Sequence, residues 1–292
     1  MSAYLAYGNI SIKRVYQSTV ERVAELKALR KSGETIEPSW LQSLSSFQGR
    51  LRWHCHFTQK LEDEPSIEFR NINTAYDGLR ESEFNEAYYQ AWCAGRTGYP
   101  MVDACMRALE QTGWINFRMR AMLVSFSSYH LWLHWRRPAV HLARLFLDYE
   151  PGIHYNQVQM QAGVTGINTV RIYSPIKQVL DQDPQGRFIR QYVPELEGVP
   201  DQHLSEPQRM TPMEQSLYGC RIGQDYPLPI VDHKEAYQAA RTRMHRVKRS
   251  TAAKAEAENV YQKHGSRRRP RRPKRHVKKN KGTSAKPATS AE

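Results

Sequence analysis

Cysteine is scarce in this chain of 292 residues: Cys55, Cys93, Cys105 and Cys220 stand apart, with no Cys-x-x-Cys pair. That spacing excludes a zinc knuckle, offers no disulfide framework and fits a reducing compartment. Long apolar runs are missing too. The most apolar stretch, residues 121–135, is interrupted by Ser125, Ser127, Ser128, His130 and His134, and it is shorter than the ~20 residues of a membrane span. The opening "MSAYLAYGNI" has neither the basic run nor the cleavage site of a secretory signal. A soluble protein of the cytoplasm is expected, or of the nucleus if the source is eukaryotic. Alternating β-branched strands, glycine-rich hairpins, any strand–helix–strand period and internal repeats are also absent.

Familiar site patterns are incomplete. "AGRTGYP" (residues 94–100) sets two glycines around a cation but lacks the G-x-x-x-x-G-K-[ST] spacing of a phosphate loop, and no strand precedes it. His130 and His134 stand at i, i+4 without the glutamate of a metalloprotease helix. In "WHCH" (residues 53–56) consecutive side chains diverge on a helix. No metal site is expected.

Acidic residues are scarce only at the carboxyl end. Residues 246–292 hold 16 Lys and Arg against 3 Asp and Glu, so nearly all of the formal charge of +14 lies there and the body is close to neutral. Any affinity for nucleic acid by charge alone belongs to that tail, where a polycation binds by counterion release without sequence preference. The tail equally suits nuclear localisation or solubilisation.

Helical signals dominate what is present. "SIKRVYQSTVERVAELKALR" (residues 11–30) repeats apolar positions at helical spacing behind a capping serine, and "SWLQSLSSFQGRLRWHCHFTQKL" continues the pattern. "YPMVDACMRALEQTG" opens on Pro100 and closes on Gly113, a first-turn proline and a C-cap glycine. Helices are expected over 117–135 and 138–150, joined by a short turn. Residues 197–226, rich in Pro, Gly and Gln, read as a surface connection, and 264–292 as disordered. The fold class is all-α.

The helix pair 117–135 and 138–150 carries the most chemistry. Arg118 and Arg120 open the first, and Asp148 and Glu150 close the second. As antiparallel neighbours they would bring Arg120 to Asp148. The pair reads either as a surface salt bridge at helix ends or as a buried ion pair that shares a ligand.

Taken in order, several blocks resemble the flavin-binding helical domain of the DNA photolyase and cryptochrome family. "SAYLAYGNIS" is similar to its "SPYLxxGxxS", and "WCAGRTGYPMVDACMRALEQTGW" to its "WxxGxTGxPxVDAxMRxLxxTGW". "RMR", "LFLDYE", "RIYSPIKQ", "FIRQYVPEL" and "DYPLPIVDHKEA" follow. The resemblance implies a helical bundle holding FAD over residues 1–240; composition adds a helical extension over 241–263 and a disordered basic tail over 264–292. It implies that Ser2, Phe47, Arg118, Arg120, Asp148, Glu150 and His154 contact the cofactor. It implies that Trp135 carries electrons, and that Arg50, Trp53, Phe117 and Met160 meet the damaged bases.

Several positions depart from the family. Only Ser2 remains of a "TSxLS" phosphate-binding run, which points to a fragment or to a start at an internal methionine. An antenna chromophore is implied only if the family's amino-terminal domain is present. Val158 stands where the family has its tryptophan nearest the flavin, Arg50 where photolyases carry glutamate, Met160 for an aromatic and Phe117 for asparagine. The function implied is repair of ultraviolet-induced pyrimidine dimers in DNA by light-driven electron transfer, by a monomer. A blue-light sensor without repair and a flavin-free nucleic-acid-binding remnant are the alternatives.

Overall fold

A computed structural model of the chain describes residues 1–265. Of the stretch expected to be disordered, residues 266–292 lie outside that range. The helices are α1 (Ser2–Ala6), α2 (Ile12–Lys31), α3 (Pro38–Asp63), α4 (Glu86–Cys93), α5 (Pro100–Thr112), α6 (Phe117–Ser125) and α7 (Arg136–Leu145). They continue as α8 (Pro151–Ala162), α9 (Pro175–Gln182), α10 (Arg187–Tyr192), α11 (Pro212–Leu217), α12 (His233–Arg249) and α13 (Thr251–His264). Among the described residues a single bridge, Ile222 to Tyr226, is the only β pairing, so the fold is all-α.

Local signals set many of the boundaries. Ser11 caps α2 by accepting from the Arg14 N–H, Pro100 opens α5, and Gly113 closes it in the left-handed region. Between these ends α5 is buried on nearly every side, from Met101 to Leu109, which makes it the central helix. It packs against α9 and α10, while α3 lies along α8 and α2. Gly152 permits the approach of α8 to α3, because a Cβ there would stand 2.7 Å from the Thr58 Cα and 3.0 Å from the Phe57 carbonyl.

Three expectations are corrected. The helix expected over 117–135 ends at Ser125, widens into one π turn over Phe126–His130 and then leaves helical geometry. Trp132 sits there with φ +53, its ring between the Arg80 and Arg243 guanidiniums at 4.6 and 4.8 Å. Those contacts compensate a conformation that a non-glycine residue rarely adopts. The break separates the two histidines. His130 meets His233 at 2.8 Å and His134 faces Glu81, so they share no ligand.

The helix expected over 138–150 is α7 and stops at Leu145. Phe146 turns extended, and Glu150 is the residue before α8. Residues 197–226 are more than a bare surface connection: they run along the surface but are anchored by buried Val199, Leu204, Met210, Cys220 and Tyr226, the last bonded to Asp103 of α5. α12 crosses residue 240 without interruption and breaks at Ser250, which caps α13. His264 closes α13 buried against Glu64 at 2.5 Å, so ordered structure extends one residue into the expected tail.

Candidate functional site

A cavity of about 230 Å³ opens between α3, α6 and α8. α3 contributes Arg50, Trp53, His54 and Phe57. α6 contributes Phe117, Arg120, Ala121 and Val124. Each set follows i, i+3, i+4, i+7, one face of a helix. α8 and the residue before it contribute Glu150, Ile153, His154, Gln157, Val158 and Gln161 by the same rule. Leu142, Phe146, Asp148 and Tyr149 close the remaining side. The walls are apolar with a few convergent polar groups, the make-up of a small-molecule site.

Arg120 and Asp148 do meet. The Nη2 of Arg120 donates to Asp148 Oδ2 at 3.0 Å and its Nε to the Ile115 carbonyl at 2.9 Å. Nη1 lies 2.9 Å from Asp148 Oδ1 but off the hydrogen-bonding direction, so that oxygen is buried without a hydrogen-bond donor. The guanidinium also lies over the Phe146 ring at 4.1 Å. The Asp148 side chain is 7% exposed, which excludes a surface salt bridge for this pair. His54 Nε2 lies 2.5 Å from a Glu150 carboxylate oxygen, and its Nδ1 is buried without a partner, as is Gln157 Oε1. These charged and polar groups stand in the wall of one otherwise apolar cavity, which is where a small molecule with a few polar atoms would be oriented.

His154 is held as a neutral ring. Its Nε2 must carry the proton, because the Ala139 carbonyl 2.8 Å away can only accept; Nδ1 is left as an acceptor. Burial pushes its pKa down to about 4, aided by the Arg120 cation and opposed by the carbonyl. Burial likewise takes His130 to about 3, with His233 contributing.

Both folded values lie below the unfolded one, so the unfolded chain binds more protons once the pH drops under about 6.5. Their contribution to stability is complete above that pH and is lost on the way down to about 4 for His154 and about 3 for His130, by up to about 1.4 kcal/mol per pH unit for each ring. Denaturant midpoints should therefore fall steeply from pH ~7 to pH ~5. His130→Gln should flatten that slope; a slope unchanged by the substitution would contradict the assignment.

The other candidate residues fall outside the cavity. Arg118 lies two positions from Arg120, about 200° around α6, and is exposed. Met160 is likewise turned away from Val158 on α8. Phe47 stands one turn before Arg50 on α3, and Ser2 opens α1. Trp135 is fully buried behind the wall. Its Nε1 donates to Asn71 at 2.7 Å, and its ring meets Tyr155 edge-on at 6.4 Å, which in turn meets His154 at 5.2 Å. Sequence reasoning missed His54, Phe57, Gln157 and Gln161, which extending each helical face by one turn from Arg50 and His154 would have found.

Comparisons agree with this geometry. The model of the FAD binding domain of DNA photolyase matches residues 47–246. A deoxyribodipyrimidine photo-lyase of Alkalihalophilus pseudofirmus is 32% identical over 82% of this chain and 47% of its own length. The crystal structure of a bacterial class III photolyase from Agrobacterium tumefaciens superposes with a TM-score of 0.73 at 30% identity, over 85% of this chain and 49% of that one. A Synechocystis cryptochrome gives 0.71 at 27% identity, over 82% and 47%. The chain spans about half the length of the relatives it matches. No helix among the described residues is long and apolar enough to cross a membrane. With a family model that covers most of its length, relatives at 30% identity or more over four fifths of it, and a cavity walled by three of its helices, the chain belongs to the family of the FAD-binding domain of DNA photolyase.

Proposed function

We propose that this chain is the flavin-binding half of a photolyase, which repairs ultraviolet-induced pyrimidine dimers in DNA by light-driven electron transfer. The observation that carries the reading is a cavity with apolar walls that gathers the Arg120–Asp148 pair, Glu150 and the neutral His154 ring on its lining. The cavity volume of about 230 Å³ is below the ~300–1,000 Å³ of whole-ligand sites. It suits the fused ring of FAD rather than the whole dinucleotide. When bound, FAD supplies the electron that opens the dimer.

The residues divide the remaining work. Arg120 offers a fixed positive charge beside the ring, Asp148 holds that charge in place, and His154 presents Nδ1 as a neutral acceptor. Glu150 is oriented by His54. Trp135 and Tyr155 form an aromatic path away from the cavity, on the side where Val158 offers no redox-active ring. Residues 1–240 form the binding unit. The extension after it buttresses the segment near Asn73, whose side chain donates to the Ala253 carbonyl. The basic residues of 246–292 add sequence-independent affinity for DNA.

The chain loaded with FAD should remove pyrimidine dimers from ultraviolet-irradiated DNA under blue light, with cytosine-containing dimers and pyrimidone photoproducts counted beside thymine dimers, and leave them intact in the dark. Flavin binding without dimer loss would overturn repair and favour the sensing reading.

A further inference from the structure

Arg50 is the one charged residue of the cavity lining without a hydrogen bond or carboxylate partner among the described residues. Arg120 is committed to Asp148, and Glu150 to His54. Arg50 Cζ lies 5.9 Å from the Trp53 ring centroid and 5.7 Å from that of Phe117, and both rings line the same cavity. Those rings are 56% and 48% exposed. A cation attracted to two ring faces keeps its N–H groups for other acceptors. The mouth of the cavity therefore presents two flat apolar rings beside a guanidinium that donates and never accepts.

Given the DNA repair reading above, on which this inference rests, we propose that Arg50 selects the lesion by the base edge it presents. A base turned out of the duplex is read by stacking and by hydrogen bonds to its Watson–Crick edge. The thymine edge sets an N3–H between two carbonyls, so a donor-only fork meets a donor. The cytosine edge sets N3 and O2 side by side as acceptors, and a guanidinium matches that pair as guanine does with its two adjacent N–H groups. A pyrimidone-type photoproduct offers the same two neighbouring acceptors. The site takes dimers whose inner base carries an unprotonated N3 and disfavours the thymine–thymine dimer, where two donors are left facing each other.

The test is dark binding, by fluorescence anisotropy, of the FAD-loaded chain to oligonucleotides that differ only in the lesion. The set is a thymine–thymine cyclobutane dimer, a cytosine-containing dimer, its uracil counterpart, a pyrimidone photoproduct and undamaged DNA. The cytosine dimer or the pyrimidone should bind at least about tenfold more tightly than the thymine and uracil dimers, and those two arms tell which source of the acceptor pair is preferred. Hydrolysis of cytosine to uracil within the dimer should weaken binding as it proceeds.

Arg50→Glu, which can only accept, should invert the order, and Arg50→Gln should level it. Arg50 has no hydrogen bond or salt bridge to lose, only its contacts with Trp53 and Phe117, so both variants should stay folded, as their melting temperatures check, and DNA affinity is compared per flavin-loaded chain. If Arg50→Gln weakens every DNA by the same factor and flattens the salt dependence, Arg50 holds phosphate and the proposal fails. It also fails alone if the thymine dimer binds as well as the others but better than undamaged DNA. If no lesion is preferred over undamaged DNA, the underlying repair reading fails instead.

Discussion

Asp103→Ala should leave little folded protein at ordinary temperatures. Asp103 is fully buried on α5, and its carboxylate gathers four donors. Oδ1 accepts from the Thr97 backbone N–H at 2.7 Å and the Thr97 hydroxyl at 2.6 Å. Oδ2 accepts from the Gly98 N–H at 3.0 Å and the Tyr226 hydroxyl at 2.5 Å. The carboxylate thus pins the 95–99 loop, whose Gly98 has φ +76 and leaves no room for a Cβ against Leu228 and Pro229. Alanine would strand four donors where water does not reach, at about 1–3 kcal/mol each. Even the lower end is on the order of 4 kcal/mol, a large share of the ~5–15 kcal/mol that holds a domain together. Tyr226→Phe removes one donor and keeps the acceptor, so it should cost only about 1–2 kcal/mol. Denaturant titration of both variants checks the ordering. Equal losses would mean that the phenol, not the carboxylate, organises the network.

Asp148→Ala should abolish retention of FAD. Arg120 would keep its bond to the Ile115 carbonyl and its place over Phe146, so the cation would remain in the wall without a counter-charge. Removing one partner of a buried pair costs about 3–5 kcal/mol. If that cost falls on the bound state, flavin affinity drops by at least a hundredfold. Asp148→Asn keeps one acceptor for Nη2 and should lose about tenfold. The readout is flavin absorbance per chain after gel filtration, taken with the melting temperature of the flavin-free protein. Unaltered flavin content with a lower melting temperature would make the pair a structural brace and no part of the cofactor site.

Much of this was legible in the sequence where a local rule decides the outcome. Ser11, Pro100 and Gly113 act within one turn of themselves, and α2 and α5 begin and end where those residues place them. The path after Ser125 was not legible. Apolar positions continue at helical spacing through Trp135, and no glycine or proline marks the break. It is set from outside, by Arg80 and Arg243 on either side of Trp132, and those residues are distant in sequence. The same division holds at the cavity. The meeting of Arg120 and Asp148 followed from the expectation of adjacent antiparallel helices, although Asp148 lies in the turn after α7. Arg118 entered with Arg120 as a cation at the head of its helix and Met160 by resemblance alone, whereas the angle between neighbours on a helix turns both out of the lining.

The three faces that line the cavity also set an order of events during synthesis. Arg50, Trp53 and Phe57 leave the ribosome about a hundred residues before the face of α8 that completes the wall. Such a non-local surface closes only after the intervening chain has condensed, so it forms late in folding. Until then the aromatic side of α3 has nothing to cover it, and the nascent chain carries an adhesive stripe. A chaperone that shields residues 50–57 would protect the chain in the interval when the site is half built.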